Sequence, residues 1–291
     1  MSIAITGSTG GYGSRLIKTL STLVPPAEII AITRSTSSDR AQALPAGVHL
    51  RQADFGDAAA LTSAFDGAEI AMIVSVDKIG PEAVELHKTA IDAAVSAGVR
   101  KVYYTSHQNA SPDSLFAAAR DHYETEQYLA GSGIQFTSLR NGFYQGSLKY
   151  MIGGVEHTNV IDKPADGKVS WTNNDDLADA AAVLLARDFR GDKAGEYVTL
   201  VSSENADMAD VAKSVGQALG KDVQRKVMGD QAFVDATEAH GVPRHMAEMF
   251  LGMFKEARRG GFLSDDGTLK GLLGRKPTTV DAFLKEAYGK A

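Results

Sequence analysis

The feature that most constrains this chain is a rhythm. From the first residues to about position 142, short apolar runs rich in β-branched residues alternate with stretches of helical spacing. The strand-like runs are SIAIT (2–6), EIIAIT (28–33), VHLRQAD (48–54), EIAMIVS (69–75), KVYYTS (101–106) and IQFTSLR (134–140). Several are apolar almost throughout, as strands covered on both faces must be. Between them lie GSRLIKTLSTL, DAAALTSAF, PEAVELHKTAIDAAVSAG and DSLFAAARDHYETEQYLAGSG, with Gly98 and Gly131 or Gly133 as stop signals. Strand–helix alternation of this kind gives βαβ units with right-handed crossovers. The expected fold class is therefore α/β, a doubly wound parallel sheet of the Rossmann type, with a smaller α/β domain at the C-terminal end.

After about residue 142 the rhythm changes. NNDDLADAAAVLLARD (173–188) predicts a helix with acids in its first turn, EYVTLVS (196–202) a strand, and NADMADVAKSVGQALG (205–220) a helix with Asn205 as N-cap. From Asp230 onward the pattern predicts short helices separated by Gly and Pro. The expected division is a nucleotide-binding domain over 1–142, rejoined by about 168–202, and a small substrate domain built mainly from 143–291.

Composition narrows the function. With 291 residues, 44% of them hydrophobic, the chain can build a sizeable core. A formal net charge of −6 argues against a nucleic-acid surface. The absence of cysteine excludes disulfides, thiolate metal sites and cysteine nucleophiles, and suits a reducing cytoplasm. The opening lacks a basic start and a long apolar stretch, so no signal peptide or membrane anchor is expected. No H-E-x-x-H run or His–carboxylate cluster suggests a metal, and no G-x-S-x-G suggests a hydrolase.

The first strand-to-helix turn carries the strongest functional signal. Gly7, Gly10 and Gly13 recur at a spacing of three in GSTGGYG, a variant of the usual G-x-G-x-x-G. Such a turn lets backbone N–H groups and a helix N-terminus meet a pyrophosphate, so Gly7, Thr9, Gly10, Gly11, Tyr12 and Gly13 are the expected cradle. At the end of the second strand an NAD site would carry an acid. Here Arg34 stands in TRSTSSDR, with serine and threonine hydroxyls behind it and Arg40 nearby, which suits a 2′-phosphate and predicts NADP, with NADPH preferred over NADH. Asp54 and Phe55, after the third strand, are candidates for the adenine. Ser75, Thr105 and Ser106 end the next two strands, where ligands sit in such sheets. Asn141, Gly142, Phe143 and Tyr144 close the sixth strand. Asn141 and Phe143 are expected at the nicotinamide, and Asn141, Tyr144 and His122 are the candidates for a catalytic role.

ITGSTGGYG, RQADFGD, HYETEQYLAGSGIQFTSLRNGFY and DLADAAAVLL together resemble the NmrA-like atypical short-chain dehydrogenase/reductase family, in particular its branch of NAD(P)H:quinone oxidoreductases and triphenylmethane dye reductases. The resemblance runs over nearly the whole chain. It implies an NADP-binding domain, a small substrate domain and a cleft between them that takes a small aromatic or quinone-like acceptor. The wider family's Tyr-x-x-x-Lys pair is missing: counted back from Thr137, its places fall on Ala118 and His122, and Tyr123 is followed at four residues by Gln127. Gly11 also replaces a residue that is often polar in that branch. A ketone reductase needs a positioned acid for its alkoxide. Quinone reduction leaves a phenolate-like anion whose conjugate acid has a pKa of about 10, which water can protonate. The same absences suit a non-catalytic NADP(H)-binding redox sensor acting through a protein partner, and they disfavour a sugar-nucleotide epimerase. Monomer and homodimer are equally compatible with the sequence. Phe233, Met246, Met249, Phe250, Met253 and Phe254 recur at helical spacing, as core or as lining for a flat ligand. Trp171 is expected in the core, His240 and His245 on the surface.

Overall fold

A computed structural model describes residues 1–192, 194–264 and 266–289. Seven parallel strands form the main sheet, in the order β3 (His49–Gln52), β2 (Ile29–Thr33), β1 (Ile3–Ile5), β4 (Ile70–Ile73), β5 (Lys101–His107), β6 (Gln135–Asn141) and β8 (Tyr197–Leu200). The order reverses direction between β1 and β4, and the crevice at such a switch point is where ligands bind in open α/β sheets.

The near-continuous apolar strands are explained by two covered faces. Ile3, Ile5, Ile29, Met72 and Tyr103 point to one side, under α1 (Gly11–Leu20) and α8 (Asn174–Phe189). Ala4, Ile30, Ala71, Ile73 and Tyr104 point to the other, under α3 (Ala58–Phe65), α4 (Pro81–Ser96) and α5 (Ala117–Gly131). Each fully buried Ile or Leu in these layers contributes about 1.5–3 kcal/mol of burial free energy. α1, which carries the glycine turn, is fixed to α8 by a two-pronged ion pair. Arg15 Nε and Nη2 donate to Asp179 at 2.8 and 2.7 Å, and Thr19 adds a third bond at 2.5 Å.

The remaining elements build a cap over the carboxyl ends of the strands. It comprises α6 (Gly146–Met151), α7 (Val155–Thr158), β7 (Val160–Pro164), α9 (Met208–Leu219), β9 (Gln224–Met228), α10 (Asp230–Ala239), α11 (Arg244–Arg258) and α13 (Val280–Tyr288). α2 (Asp39–Gln42) and α12 (Thr268–Leu273) lie outside it. β7 and β9 pair in parallel as a separate two-stranded sheet. The cap has its own core, including Phe143, Leu148, Trp171, Phe233, Phe254 and Phe262. Trp171 is fully buried as expected, and its indole N–H donates to Ala206 O at 3.0 Å. His240 and His245 are exposed.

Two expectations change. The N-cap of α9 is Asp207, not Asn205: Asp207 accepts from the Ala209 and Asp210 amides and Asp210 returns a bond to the Asp207 N–H, a reciprocal capping box. Asn205 instead accepts from the Ser170 hydroxyl at 2.6 Å. The segment after Asp230 is also less broken than predicted, because α11 runs unbroken for 15 residues. Among the described residues no helix is long and apolar enough to cross a membrane.

Candidate functional site

Two unlike spaces open along the carboxyl edge of the main sheet. The first is a trough of about 370 Å³, of mixed polar and apolar lining, whose wall includes Gly7, Thr9, Gly10, Arg34, Asp54, Phe55 and Ser75. Gly7 has φ +60°, a conformation that residues with a β-carbon seldom take. At Gly13 a β-carbon would overlap the Gly7 carbonyl oxygen, so α1 can press against the turn only because glycine stands there. Gly10 caps α1 without a side-chain bond, which leaves first-turn N–H groups for an anion. Arg34 is exposed at the end of β2. Of the hydroxyls behind it, Ser38 is used as the N-cap of α2. Asp54 accepts the Gly56 N–H at 2.9 Å, so it shapes its own loop while lining the trough. Gly11 is exposed on a neighbouring groove that also takes in Lys18 and Arg40.

Thr105 and Ser106 are drawn inward instead. Thr105 is buried, accepting the Ser75 N–H at 2.7 Å and donating to the Ser75 hydroxyl at 3.0 Å, so it ties the end of β5 to that of β4. Ser106 donates at 2.7 Å to Glu126, a fully buried carboxylate that also receives Ser138 and two nitrogens of Arg140.

At the end of β6, Asn141 is 1% exposed. Its Nδ2 donates to the Tyr144 hydroxyl at 3.4 Å, and its buried Oδ1 has no hydrogen-bond partner. A buried acceptor left alone costs about 1–3 kcal/mol, so this atom awaits a donor. Burial raises the Tyr144 phenol, with Asn141 opposing. Burial and then Tyr144 raise the half-buried Tyr12 phenol. Both stay protonated and act as hydrogen-bond groups, not bases.

Beside them runs a ladder of neutral imidazoles. His87, His122 and His107 stack at 6.3 Å per step, nearly parallel. His87 Nε2 accepts from the Val76 N–H at 3.1 Å, which puts its proton on Nδ1, 3.1 Å from the Thr125 hydroxyl. Tyr104 lies 2.7 Å from His122 Nδ1 and donates to it, leaving the His122 proton on Nε2. The Asn109 N–H donates to His107 Nδ1 at 3.1 Å, so His107 carries its proton on Nε2, which is buried and has no partner. Burial lowers His87 and His107 to about 3 and His122 to about 4, with Glu126 opposing at His122.

The second space is an apolar cavity of about 520 Å³ between this edge and the cap. Phe116 and Phe143 form its inner wall, and Met249, Met253 and Phe254 of α11 face them. Phe233 and Phe250 also line it, so all of the predicted aromatic and methionine stripe except Met246 reaches the cavity. The Phe143 ring stands 5.7 Å from His107 and 5.2 Å from Trp171, and is 9% exposed. His107, packed behind Phe116 and Phe143, and Lys163, which lines the cavity, were not singled out from the sequence. His107 is one residue past the hydroxyl pair that was, and Lys163 sits in a strand with no readable pattern.

The NmrA-like family model matches residues 1–284. The chain belongs to that family. It is 36% identical to quinone oxidoreductase 2 of Escherichia coli over 290 residues, covering 98% of each chain. An NADPH complex of that E. coli protein superimposes with a TM-score of 0.89, covering 99% of this NmrA-like chain and 100% of the other at 34% identity. Triphenylmethane reductase of a Citrobacter species, solved with NADP(H), gives a TM-score of 0.86 at 26% identity, covering 98% and 100%.

Proposed function

We propose that this NmrA-like chain is an NADPH-dependent oxidoreductase that reduces a quinone or a similarly conjugated acceptor. The observation that carries the reading is a glycine-turn trough and an aromatic-walled apolar cavity whose linings run on from one another at Lys78 and Ile79. The names of the E. coli and Citrobacter relatives support it.

The residues present fit NADP(H). The Gly7–Gly13 contact and the uncapped start of α1 suit the pyrophosphate, Arg34 suits the 2′-phosphate, and the orphan Asn141 Oδ1 suits a carboxamide N–H. Bound there, NADPH supplies a hydride, so a quinone gains two electrons and becomes a hydroquinone anion that needs one proton. The chain's own part is to hold the acceptor ring between Phe116, Phe143 and Met253, and to keep water out. Hydrogen-bond donors on the cavity wall, among them the Ser147 and Tyr150 hydroxyls, are available to the developing oxyanion. Neither Ala118 nor His122 can replace a Tyr–Lys pair, which fits an acceptor whose product anion is weakly basic. One chain builds both spaces, so a monomer suffices and a homodimer would carry two sites.

Steady-state oxidation of NADPH with a panel of quinones tests the reading, with NADH and a simple ketone as comparators. Quinone-dependent turnover that prefers NADPH and spares the ketone is expected. Ketone turnover equal to that of quinones would overturn it.

A further inference from the structure

The apolar cavity has one inconsistent feature. Among the described residues on its wall, Lys163 is the one charged side chain; the rest are aromatic, aliphatic or methionine, apart from Ser147 and Thr237. Lys163 lies in β7, on the cap, and is half-buried. Among the described residues its Nζ makes no ion pair and no hydrogen bond. The nearby acid Asp166 is already paired with Arg225 at 3.2 Å. Arg225 also donates to the Lys163 carbonyl at 2.8 Å, placing a second cation beside β7. Burial first, and Arg225 last, lower the Lys163 ammonium below its ordinary range, while Asp162 opposes them. Its stem covers apolar wall, and its ammonium has no acid of its own among the described residues, so it is available to a ligand in that cavity.

We propose that Lys163 anchors an anionic substituent of the acceptor, so that the preferred substrate is a conjugated ring bearing a sulfonate, carboxylate or comparable acidic group. The inference rests on the reductase reading and deepens it. The ring lies against Phe116 and Phe143, and its acidic group meets Lys163 on the cap side. An ion pair shielded by aromatic walls is stronger than the same pair in water, and it adds orientation to a cavity otherwise held together by non-directional contacts.

The test uses anthraquinone-2-sulfonate and its neutral analogue 2-(hydroxymethyl)anthraquinone. Binding of each to the NADP⁺-loaded protein is measured by calorimetry, and NADPH-driven turnover of each is followed in parallel. Wild type should bind the sulfonate about tenfold or more tighter than the alcohol, the size expected of a charged hydrogen bond. Lys163→Met should abolish that preference, and Lys163→Arg should restore most of it. Equal affinities in wild type, or a preference that survives in Lys163→Met, would overturn the assignment. Melting curves of both variants show whether each is folded. Turnover of the neutral quinone without a Lys163-dependent preference defeats only the anchor. Lys163-dependent binding of the sulfonate with no turnover of either compound defeats the reductase reading and leaves the anchor standing.

Discussion

Arg34 is exposed at the end of β2, where the trough begins. Its charge is free to meet a phosphate, and a charge-assisted bond is worth about 1.5–3 kcal/mol. Arg34→Ala should therefore raise the KM for NADPH at least about tenfold and bring the NADPH-to-NADH preference toward unity, as read by steady-state kinetics with both nucleotides. His87 makes a prediction about stability. It is 2% exposed and held neutral, with its pKa lowered from 6.5 to about 3. Between those values the unfolded chain binds a proton that the folded chain refuses. Stability from this group is therefore complete above pH 6.5 and is lost as pH falls toward 3. From pH 7 to pH 5 the loss amounts to about 2 kcal/mol. Urea denaturation of His87→Asn should show a lower stability at pH 7 but a pH 7-to-5 difference smaller by about that amount. The sequence marked Arg34 because a missing acid at a strand end is a local fact. It could not mark His87, whose role depends on the Val76 amide, Tyr104 and Thr125 arriving from three other places.

At the level of elements, the glycine turn and α1 act as one piece. Gly13→Ala would force α1 away from the Gly7 carbonyl. Overpacking against backbone costs about 1–3 kcal/mol, and the same displacement should weaken NADPH binding; thermal melts and a fluorescence titration would show both losses together. A second joint lies between the cap and the loop after β5. Glu256 of α11 is fully buried and receives Asn109 Nδ2 at 2.9 Å, the Leu115 N–H at 2.7 Å and Arg259 Nε at 2.9 Å. These bonds hold the loop that leads to Phe116. Glu256→Gln should lower stability by about 1–3 kcal/mol and raise the KM for the quinone more than that for NADPH. The strands of the main sheet were all legible: the inner ones are apolar runs buried on both faces and leave a plain trace, while the part-exposed edge strands β3 and β8 showed through their place in the strand–helix alternation. β7 and β9 were not: VIDKP mixes apolar and charged residues without alternation, and QRKVM is polar and mostly exposed. The α9 cap was misplaced by two residues because Asn205 and Asp207 are both good cap residues, and the choice was made by Ser170, which occupies Asn205 from 35 residues away.

For the molecule as a whole, the trough was readable because one turn and the ends of neighbouring strands build it, in an order that chain direction dictates. The cavity was only half readable. Its α11 stripe showed as helical spacing, but Lys163 and Phe116 join that stripe only when the cap closes over the sheet. The assignment of a reductase stands on those two spaces working on one another. It is tested most directly by a single turnover: protein loaded with one equivalent of NADPH is mixed with a quinone in a stopped-flow instrument, and the nicotinamide absorbance is followed. Rapid loss of the bound NADPH, slowed when its transferable hydrogen is replaced by deuterium, is the expected outcome. NADPH that stays bound and unoxidised with every quinone offered would contradict the assignment and leave a nucleotide-binding sensor in its place.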